Sequence, residues 1–333
     1  MKISVSNLYD VFIEPYSLKH LKDYFNTDIK SLVITDDLIP VEYVVTVLQQ
    51  LKNGYLFVMQ HGEQNKTLET VNEIYEILLK NEFDRKSQII CLGGGIVGDL
   101  GGYVASTYKR GIDFINIPTT TLSMIDSSVG GKVAVNFNGV KNIIGSFYQP
   151  KLVLIDESVL DTLPERHLYN GLVEALKMGL CLNEKLYKIF LEDNFLYRIS
   201  DIIKLSVLTK KDIVEKDPKE ENLRKVLNFG HTIGHAVESL YLDEKYHGEA
   251  VACGMIDVIR NIDLRIEVIE ILKKFNIDVT INNNDYDKLL KFLKNDKKRN
   301  NEVIDFVFLY DVEEYEFVPL TINEAEELLK EGL

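Results

Sequence analysis

Two histidines stand four residues apart in the stretch LNFGHTIGHAVE, and a third follows in YHGEAVACGM. His231 and His235 would share one face of a helix, because residues four apart are neighbours on a helix surface. A pair at this spacing can bind one metal ion, but the general-base glutamate of an HExxH motif is absent, so zincin chemistry is not supported. His247 opens another helical pattern. A closed structural zinc would usually recruit cysteines, whereas the candidate ligands here are nitrogen and oxygen donors, which favours an open, catalytic ion. Each histidine alone could instead be a hydrogen-bonded packing residue.

A carboxylate ligand is harder to choose, since spacing alone does not select among 52 acidic residues. Glu174 has unusual surroundings in GLVEALKMG, where it lies on an otherwise apolar helical pattern one turn before Lys177. An acid and a base on a buried helix face each need a partner or an ion. Glu174 is therefore a candidate ligand, and the choice stays open at this point.

A glycine-rich turn follows a buried strand in SQIICLGGGIVGDLGGYVA. Bare backbone amides beside a helix N-terminus form a natural seat for a pyrophosphate. The pattern differs from the GxGxxG fingerprint and follows a middle strand, and a tight turn without a ligand would use glycine too. Upstream, the strand SLVIT ends in Asp36 and Asp37, where an acid could accept hydrogen bonds from ribose hydroxyls.

The stretch IPTTTLSMIDSSVGGKVAVNFNGVKNIIGSFYQP concentrates hydroxyls, amides and cations without hydrophobic periodicity. We expect a loop wrapped around a polar ligand, with a solvated surface loop as the alternative. Basic residues recur in all of these segments, although acids outnumber bases 52 to 38 in the chain. Together they indicate an anionic substrate held through phosphate or carboxylate, whereas any one lysine could simply be a solvated surface residue. These cations are Lys66, Arg110, Lys132, Lys141, Lys177, Lys210 and Arg224.

The elements that must position these groups follow two different sequence patterns, one in each half of the chain. β-Branched runs alternate with amphipathic stretches up to about residue 162, which predicts an α/β domain with a parallel sheet. Long helical patterns follow, and strand-like pieces return in VIDFVFL and YEFVPL. We therefore predict an α/β domain over residues 1–162 and a mostly α-helical domain over 163–333, with the active site in the cleft between them.

Bulk properties exclude several classes of protein. The net charge of −14 argues against nucleic-acid binding, since a duplex repels an acidic surface. No basic, apolar leader and no run of eighteen apolar residues is present, which argues against secretion and membrane insertion. The cysteines, Cys91, Cys181 and Cys253, are isolated and are typical of a reduced, cytoplasmic protein.

Taken together, these segments resemble the 3-dehydroquinate synthase family of sugar-phosphate cyclases. The resemblance rests on GGGIVGDLGGYVASTYKRG, IPTTTLSMIDSSVGGKVAVN, KNIIGSFYQP, VEALKMG, LNFGHTIGHAVE and HGEAVACGM, in the family's order and spacing. It implies an N-terminal dinucleotide-binding domain, a helical C-terminal domain, bound NAD, one divalent metal ion (Zn²⁺ or Co²⁺) and a homodimer. The chain departs from the family at Val173, at Pro218 and in a shortened stretch near residue 262.

Carried over by position, the resemblance also implies roles for individual residues. Glu174, His231 and His247 become metal ligands, and His235 becomes a catalytic histidine beside the substrate. The implied catalytic and substrate-binding residues are Asp126, Lys132, Asn142, Lys177, Lys210, Arg224, Asn228, Lys297 and Arg110, the last reaching a neighbouring subunit's phosphate pocket. The implied NAD contacts are Asp36, Glu63, Lys66, Gly94, Gly95, Asp99, Thr119, Thr120, Asp126, Lys132 and Lys141.

The reaction implied by the family is the conversion of 3-deoxy-D-arabino-heptulosonate 7-phosphate to 3-dehydroquinate and phosphate, a lyase step of the shikimate pathway to aromatic amino acids. NAD would be reduced and reoxidised in each turnover, so no NADH should accumulate. Three alternatives remain: another sugar-phosphate cyclase, a metal-dependent polyol dehydrogenase that accumulates NADH, and a nucleotide-binding sensor without turnover.

Overall fold

In a computed structural model, the described residues are 1–241, 244–281, 285, 288, 289 and 303–331. The chain divides into two compact units, Met1–Leu168 and Tyr169–Leu333. The division falls within helix α4 (Glu165–Leu182), a few residues after the predicted boundary at residue 162.

The first unit is built on a seven-stranded sheet. Its strands are β1 (Lys2–Val5), β2 (Tyr9–Ile13), β3 (Ser31–Asp36), β4 (Gly54–Met59), β5 (Gln88–Gly93), β6 (Asp113–Pro118) and β9 (Leu152–Ile155). They are arranged in the order β1-β2-β9-β6-β5-β3-β4. All neighbouring pairs are parallel except β1 and β2, which form an antiparallel pair at one edge.

The central strands are apolar throughout because helices cover the parallel sheet. Every residue of β5 and β9 is buried, as are five of the six residues in β3 and in β6. The helices of this unit are α1 (Val41–Leu48), α2 (Leu68–Lys80) and α3 (Gly95–Thr107). Thr67 caps α2 by accepting a hydrogen bond from the Thr70 amide, and Val71, Ile74 and Leu78 form its buried stripe.

The polar stretch between residues 117 and 150 is mostly regular structure, so the expectation of a loop there was wrong. Strands β7 (Lys132–Phe137) and β8 (Val140–Phe147) form an antiparallel hairpin. Asn138 and Gly139 make its two-residue turn with φ values of 48° and 76°. Asn-Gly adopts such left-handed angles readily, and its position between two β-rich runs is a strong hairpin signal.

The second unit is mostly helical, and no helix among the described residues has the length and hydropathy needed to span a bilayer. Besides the larger part of α4, its helices are α5 (Glu184–Leu191), α6 (Ile199–Lys216), α7 (His231–Leu240), α8 (His247–Val258), α9 (Ile262–Lys274) and α10 (Ile322–Glu331). All three cysteines of the chain are buried thiols.

A C-terminal hairpin of β10 (Val303–Asp311) and β11 (Glu314–Thr321) joins the ends of two of these helices. The Glu313 amide in its turn donates a hydrogen bond to the carbonyl of Leu180, near the end of α4. The Arg260 amide, just after α8, donates to the carbonyl of Leu309 in β10. Both predicted C-terminal strands are therefore present, and they brace the helices that carry Glu174 and His247.

Candidate active site

Helices α7 and α8 approach each other closely because glycines line their contact. Gly230, the residue before α7, has φ of +75°, and a Cβ there would lie 2.6 Å from the Met255 side chain. A Cβ on Gly234 would lie 2.9 Å from the Cα of Val251 in α8. This backbone-to-backbone packing brings His231, in the first turn of α7, and His247, in the first turn of α8, to a ring separation of 5.4 Å.

The orientation of His231 is set by the backbone just before its helix. Its Nδ1 lies 3.2 Å from the carbonyl of Phe229. A carbonyl can only accept, so Nδ1 carries the proton and Nε2 presents a lone pair. Burial, followed by the positive charge of Lys177, holds the pKa of His231 well below its usual range, so the ring is neutral. Its Nε2 faces Oε1 of Glu174 at 3.6 Å.

His247 lies between two carboxylates. Its Nε2 is 3.6 Å from Oε1 of Glu174, and its Nδ1 is 3.1 Å from Oε2 of Glu238 on α7. Burial lowers the pKa of His247, but the nearby carboxylates of Glu174 and Glu238 outweigh burial and raise the pKa to about 9.

Glu174 stands at the centre of this group on α4, with its side chain 1% exposed. Burial raises its pKa, but the positive charge of Lys177, followed by the proximity of the two histidines, outweighs burial and holds the pKa well below its usual range. The Lys177 ammonium, also buried, forms an ion pair with Oε2 and donates to the carbonyl of Leu227. Neither Glu174 oxygen has a hydrogen bond of normal geometry among the described residues.

These observations define a donor set for a cation. One ligand atom each from Glu174, His231 and His247 can be chosen so that all lie within 4.8 Å of one another. A buried anionic oxygen without a hydrogen bond among the described residues faces two ring nitrogens. The lone pair on Nε2 of His231 repels this carboxylate unless a positive charge lies between them. The residues therefore fit a single divalent ion with nitrogen and oxygen ligands.

His235 lies one turn after His231 on α7 and is exposed. Its ring centroid is 5.3 Å from that of His231 and 6.0 Å from that of His247. The structure thus places all three sequence-predicted histidines in one cluster, with His235 on its open side. Glu238, one turn further along the same helix, is a member of the cluster that sequence reasoning missed.

A second polar group surrounds Arg224 in the loop before α7. The guanidinium is buried, and its Nη1 donates to the carbonyl of Pro218. Glu220, which was not predicted, lies near both predicted residues of this loop: Oε2 is 3.8 Å from Arg224 Nε, and Oε1 accepts from Asn228 Nδ2 at 3.0 Å. Asp217 holds the loop together by accepting from three backbone amides, including that of Arg224. Nothing in the local sequence distinguishes Glu220 from the neighbouring acid.

Lys210 occupies the same unit. It lies on α6 with its side chain buried, one residue after Thr209, whose hydroxyl accepts from Asn183. Lys297, the remaining predicted substrate contact in the C-terminal half, lies outside the described residues.

In the first unit, three of the predicted residues share one ion-paired group. The Lys66 side chain is 3% exposed, and its Nζ donates to Oδ2 of Asp99 and to Oδ1 of Asn142, each at 2.5 Å. Sequence reasoning missed Asn136 of β7, which joins this group to Glu63. The side-chain Nδ2 of Asn136 donates to Oε1 of Glu63, and its backbone N–H donates to the backbone carbonyl of Lys66.

The predicted glycine turn lies between β5 and α3, which begins at Gly95. A Cβ on Gly94 would come within 3.2 Å of Thr120, so the turn leaves room for little besides backbone. The neighbouring Thr119 hydroxyl is buried without a hydrogen-bond partner among the described residues. Across the sheet, burial raises the pKa of Asp36 at the end of β3.

The remaining predicted residues of this unit lie on more open structure. Asp126 is half-buried in a short π-helix, Ser123–Ser127. Lys132, at the start of β7, and Lys141, in β8, are exposed. Arg110 is exposed at the end of a 3-10 turn with φ of 69°.

Comparison with known proteins identifies the family. Residues 56–170 match the model of the 3-dehydroquinate synthase N-terminal family, and residues 171–299 match that of the 3-dehydroquinate synthase C-terminal family. A 3-dehydroquinate synthase from Clostridium tetani is 41% identical over 99% of this chain and 93% of its own length. The chain belongs to the 3-dehydroquinate synthase family.

Two solved structures of cyclases share its fold. A 2-deoxy-scyllo-inosose synthase complexed with carbaglucose-6-phosphate, NAD⁺ and Co²⁺ is 25% identical with a TM-score of 0.87, over the full length of both chains. A 2-epi-5-epi-valiolone synthase from Streptomyces hygroscopicus, with NAD⁺ and Zn²⁺ bound, is 26% identical with a TM-score of 0.86, over 97% of this chain and 96% of its own. The predicted fold class, a parallel α/β domain followed by a helical domain, is confirmed, as is the predicted 3-dehydroquinate synthase family.

Proposed function

We propose that this chain is a 3-dehydroquinate synthase that converts 3-deoxy-D-arabino-heptulosonate 7-phosphate to 3-dehydroquinate and phosphate. It uses NAD and one divalent metal ion, Zn²⁺ or Co²⁺, and acts in the shikimate pathway. The observation that carries the proposal is the buried Glu174 carboxylate facing His231 and His247, in a chain that matches this family over nearly its whole length.

Glu174, His231 and His247 would hold the metal ion. Asp36, Thr119, Gly94 and the group around Lys66 would hold NAD. When bound, the two cofactors supply Lewis acidity toward a substrate hydroxyl and a temporary hydride acceptor, so that no net oxidation accumulates. The buried hydroxyl of Thr119, which has no hydrogen-bond partner in the described part of the chain, supports a polar ligand at the glycine turn, as the Glu174 oxygens support a cation in the other unit.

The cations of the helical unit would bind the anionic substrate. Arg224 is buried and presents a planar fork of donors, which suits phosphate or carboxylate. Its contacts with Pro218 and Glu220 fix the guanidinium in place before any ligand arrives. Lys177, Lys210 and Asn228 would complete the polar lining, and an arranged set of donors stabilises charge that develops on a departing phosphate.

His235 would carry the proton transfers. It is exposed where the two ligand histidines are less so, and an imidazole can both donate and accept a proton near neutral pH. Its ring lies 5.3 Å from that of His231, which supports a role beside the proposed metal ion.

We further propose a homodimer in the cytoplasm. The three buried, unpaired thiols support a reducing compartment. Arg110 is exposed on the first unit and would reach the phosphate pocket of a second copy. The remaining residues would bind NAD or substrate as the family implies. They are Asp126, Lys132, Lys141, Asn142, Glu63 and Lys297.

The deciding experiment measures phosphate released from 3-deoxy-D-arabino-heptulosonate 7-phosphate with trace NAD and added Co²⁺ or Zn²⁺. We expect many turnovers per NAD and no accumulation of NADH at 340 nm. Stoichiometric NADH would indicate a dehydrogenase, and phosphate release from other sugar phosphates alone would indicate a different cyclase. Either result would overturn the proposal, and so would NAD binding without any turnover.

A matched pair of variants tests the substrate site. Arg224→Met should lower kcat/KM at least about 100-fold, as removal of a positioned charge does in other active sites. Lys225→Met removes the adjacent cation, which is 40% exposed and paired with Asp305, and should leave kcat/KM within about twofold. Equal losses in both variants would contradict the assignment of Arg224.

A further inference from the structure

The ring of His247 lies between two carboxylates that come from two different helices. Glu174 of α4 faces its Nε2 at 3.6 Å, and Glu238 of α7 faces its Nδ1 at 3.1 Å. Both acids are largely shielded, with side chains 1% and 19% exposed respectively. Each nitrogen of the ring therefore has a defined partner.

When a cation is present, only one protonation state of the His247 ring suits both partners: Nδ1 carries the proton and Nε2 presents a lone pair. An ionised carboxylate accepts and does not donate, so the contact with Glu238 keeps the proton on Nδ1. The lone pair of Nε2 is then directed to the side where Glu174 and His231 lie. A histidine that ligates a metal usually donates its other N–H to a carboxylate or carbonyl in this way, which fixes the ring and makes the ligating nitrogen more basic.

The two histidine ligands are held differently. His231 donates to the carbonyl of Phe229, two residues earlier in the same chain segment. The His247 ring depends instead on the side chain of Glu238 in the neighbouring helix α7. Glu238 lies seven residues after His231, on the same face of that helix. Helix α7 thus supplies one ligand directly and orients the second.

We propose that Glu238 is a positioning residue that fixes the His247 tautomer and ring orientation for metal binding. The inference rests on the proposed function, because it requires that His247 ligate the catalytic ion. It assigns to Glu238 no contact with substrate, NAD or metal.

A competing arrangement makes Glu238 a ligand itself. His235, Glu238 and His247 form a second group whose donor atoms lie within 4.8 Å of one another. Using it together with the first group would require the His247 ring to bridge two ions and lose both of its protons. We therefore favour one ion held by the first group. The number of ions bound per chain, together with the proton on Nδ1 of His247, separates the two arrangements.

The test compares Co²⁺ binding in four variants of the full chain after removal of metal with a chelator. Glu238→Ala removes the acceptor, and Glu238→Gln keeps an amide oxygen that accepts from Nδ1–H without the charge. Ser239→Ala is the control on the same helix, and Glu270→Gln is the control for charge, since Glu270 is 60% exposed on α9. Affinity, stoichiometry and the visible absorption of bound Co²⁺ are measured for each.

We expect the wild type to bind one Co²⁺ per chain, and Glu238→Ala to bind it about 10- to 100-fold more weakly. Glu238→Gln should weaken Co²⁺ binding by a factor near the lower end of that range. A purely structural role of Glu238 would not produce this graded loss of Co²⁺ affinity. The Co²⁺ absorption band should shift in Glu238→Ala, while the thermal midpoint of the chelator-treated protein stays close to that of Ser239→Ala. Long-range ¹H–¹⁵N spectra of loaded protein should show the Nδ1–H form of His247 in the wild type and both controls.

Three results would overturn the inference. These are unchanged affinity and absorption in Glu238→Ala, two ions per wild-type chain with one lost in that variant, or an Nε2–H form of His247 in the loaded wild type. Failure of the proposed function looks different, since the wild type itself would then bind no Co²⁺ tightly.

Discussion

Replacing Glu174 by Gln should separate the metal site from the stability of the fold. The change removes a negative charge that is 1% exposed and leaves the Lys177 ammonium, 2% exposed, with the Leu227 carbonyl as its remaining partner. Breaking a buried ion pair from one side typically costs about 3–5 kcal/mol, because the remaining charge stays desolvated. Since Leu227 still accepts a hydrogen bond, we expect about 3 kcal/mol, the lower end of that range.

A double-mutant cycle assigns this loss to the ion pair. Lys177→Met alone leaves the carboxylate buried without its nearest cation and should also destabilise the protein. The double variant Glu174→Gln/Lys177→Met removes both charges and should regain most of the lost stability, because neither charge is then buried alone. Metal binding should not return with stability, since the anionic ligand is still missing.

The assay is urea unfolding with a chelator present, together with Co²⁺ titration of the same proteins. Glu184→Gln is the matched control: it breaks an exposed i,i+4 pair with Lys188 and should cost no more than about 0.5 kcal/mol. If Glu174→Gln unfolds at the wild-type urea concentration, the buried ion pair does not stabilise the fold. If the variant binds Co²⁺ with wild-type affinity, Glu174 is not a metal ligand.

The other predictions concern separate parts of the chain. Burial raises the pKa of Asp257 from 3.8 to about 6, so its carboxyl prefers to be protonated in the folded state and its contribution to stability falls as the pH rises from about 4 to about 6. At about 1.4 kcal/mol per pH unit, Asp257→Asn should be up to about 3 kcal/mol more stable than the wild type at pH 7, and about equal to it at pH 4, in urea unfolding. Gly230→Ala places a Cβ at φ of +75° and 2.6 Å from Met255, so it should lower the free energy of unfolding by at least about 1–3 kcal/mol and weaken Co²⁺ binding. Lys66→Met removes the buried ammonium that pairs with Asp99 and should weaken NAD binding at least about tenfold in calorimetry, since hydrogen bonds to charged groups are worth about 1.5–3 kcal/mol.

Each of these predictions has an outcome that contradicts it. A stability difference between Asp257→Asn and wild type that does not change with pH would show that Asp257 ionises normally. Wild-type Co²⁺ affinity in Gly230→Ala would mean that the approach of α7 to α8 does not set the ligand geometry. Unchanged NAD affinity in Lys66→Met, with folding intact, would remove the group around Lys66 from the NAD site.

Local patterns in the sequence were sufficient for the helices that carry the histidines. The spacing of His231 and His235 predicted one helix face, and His247 was expected to open the next helix, which the structure confirms. The same periodicity extends to Glu238, seven residues after His231, so this residue was within reach of sequence reasoning. The hairpin turn at Asn138 and Gly139 was also readable, but the density of polar residues around it suggested a loop instead.

The sequence alone could not show which distant residues meet, because tertiary packing determines those contacts. Glu174 is separated from His231 by more than fifty positions, and only the packing of α4 beside α7 and α8 shows that their ligand atoms meet. Asn136 depends on the register of a hairpin against the Lys66 segment, and Glu220 on the fold of a loop around Asp217. No local pattern encodes such distances, because each arises from backbone geometry contributed by several elements.

The hairpin near the C-terminus has a consequence for synthesis of the protein in the cell. Its strands contact the C-terminal ends of the helices that bear Glu174 and His247, yet residues 303–321 are translated after all three ligand residues. The metal-binding geometry is therefore completed only after residues 303–321 have been translated, and a nascent chain stalled before residue 303 should carry all three ligands without holding Co²⁺ firmly.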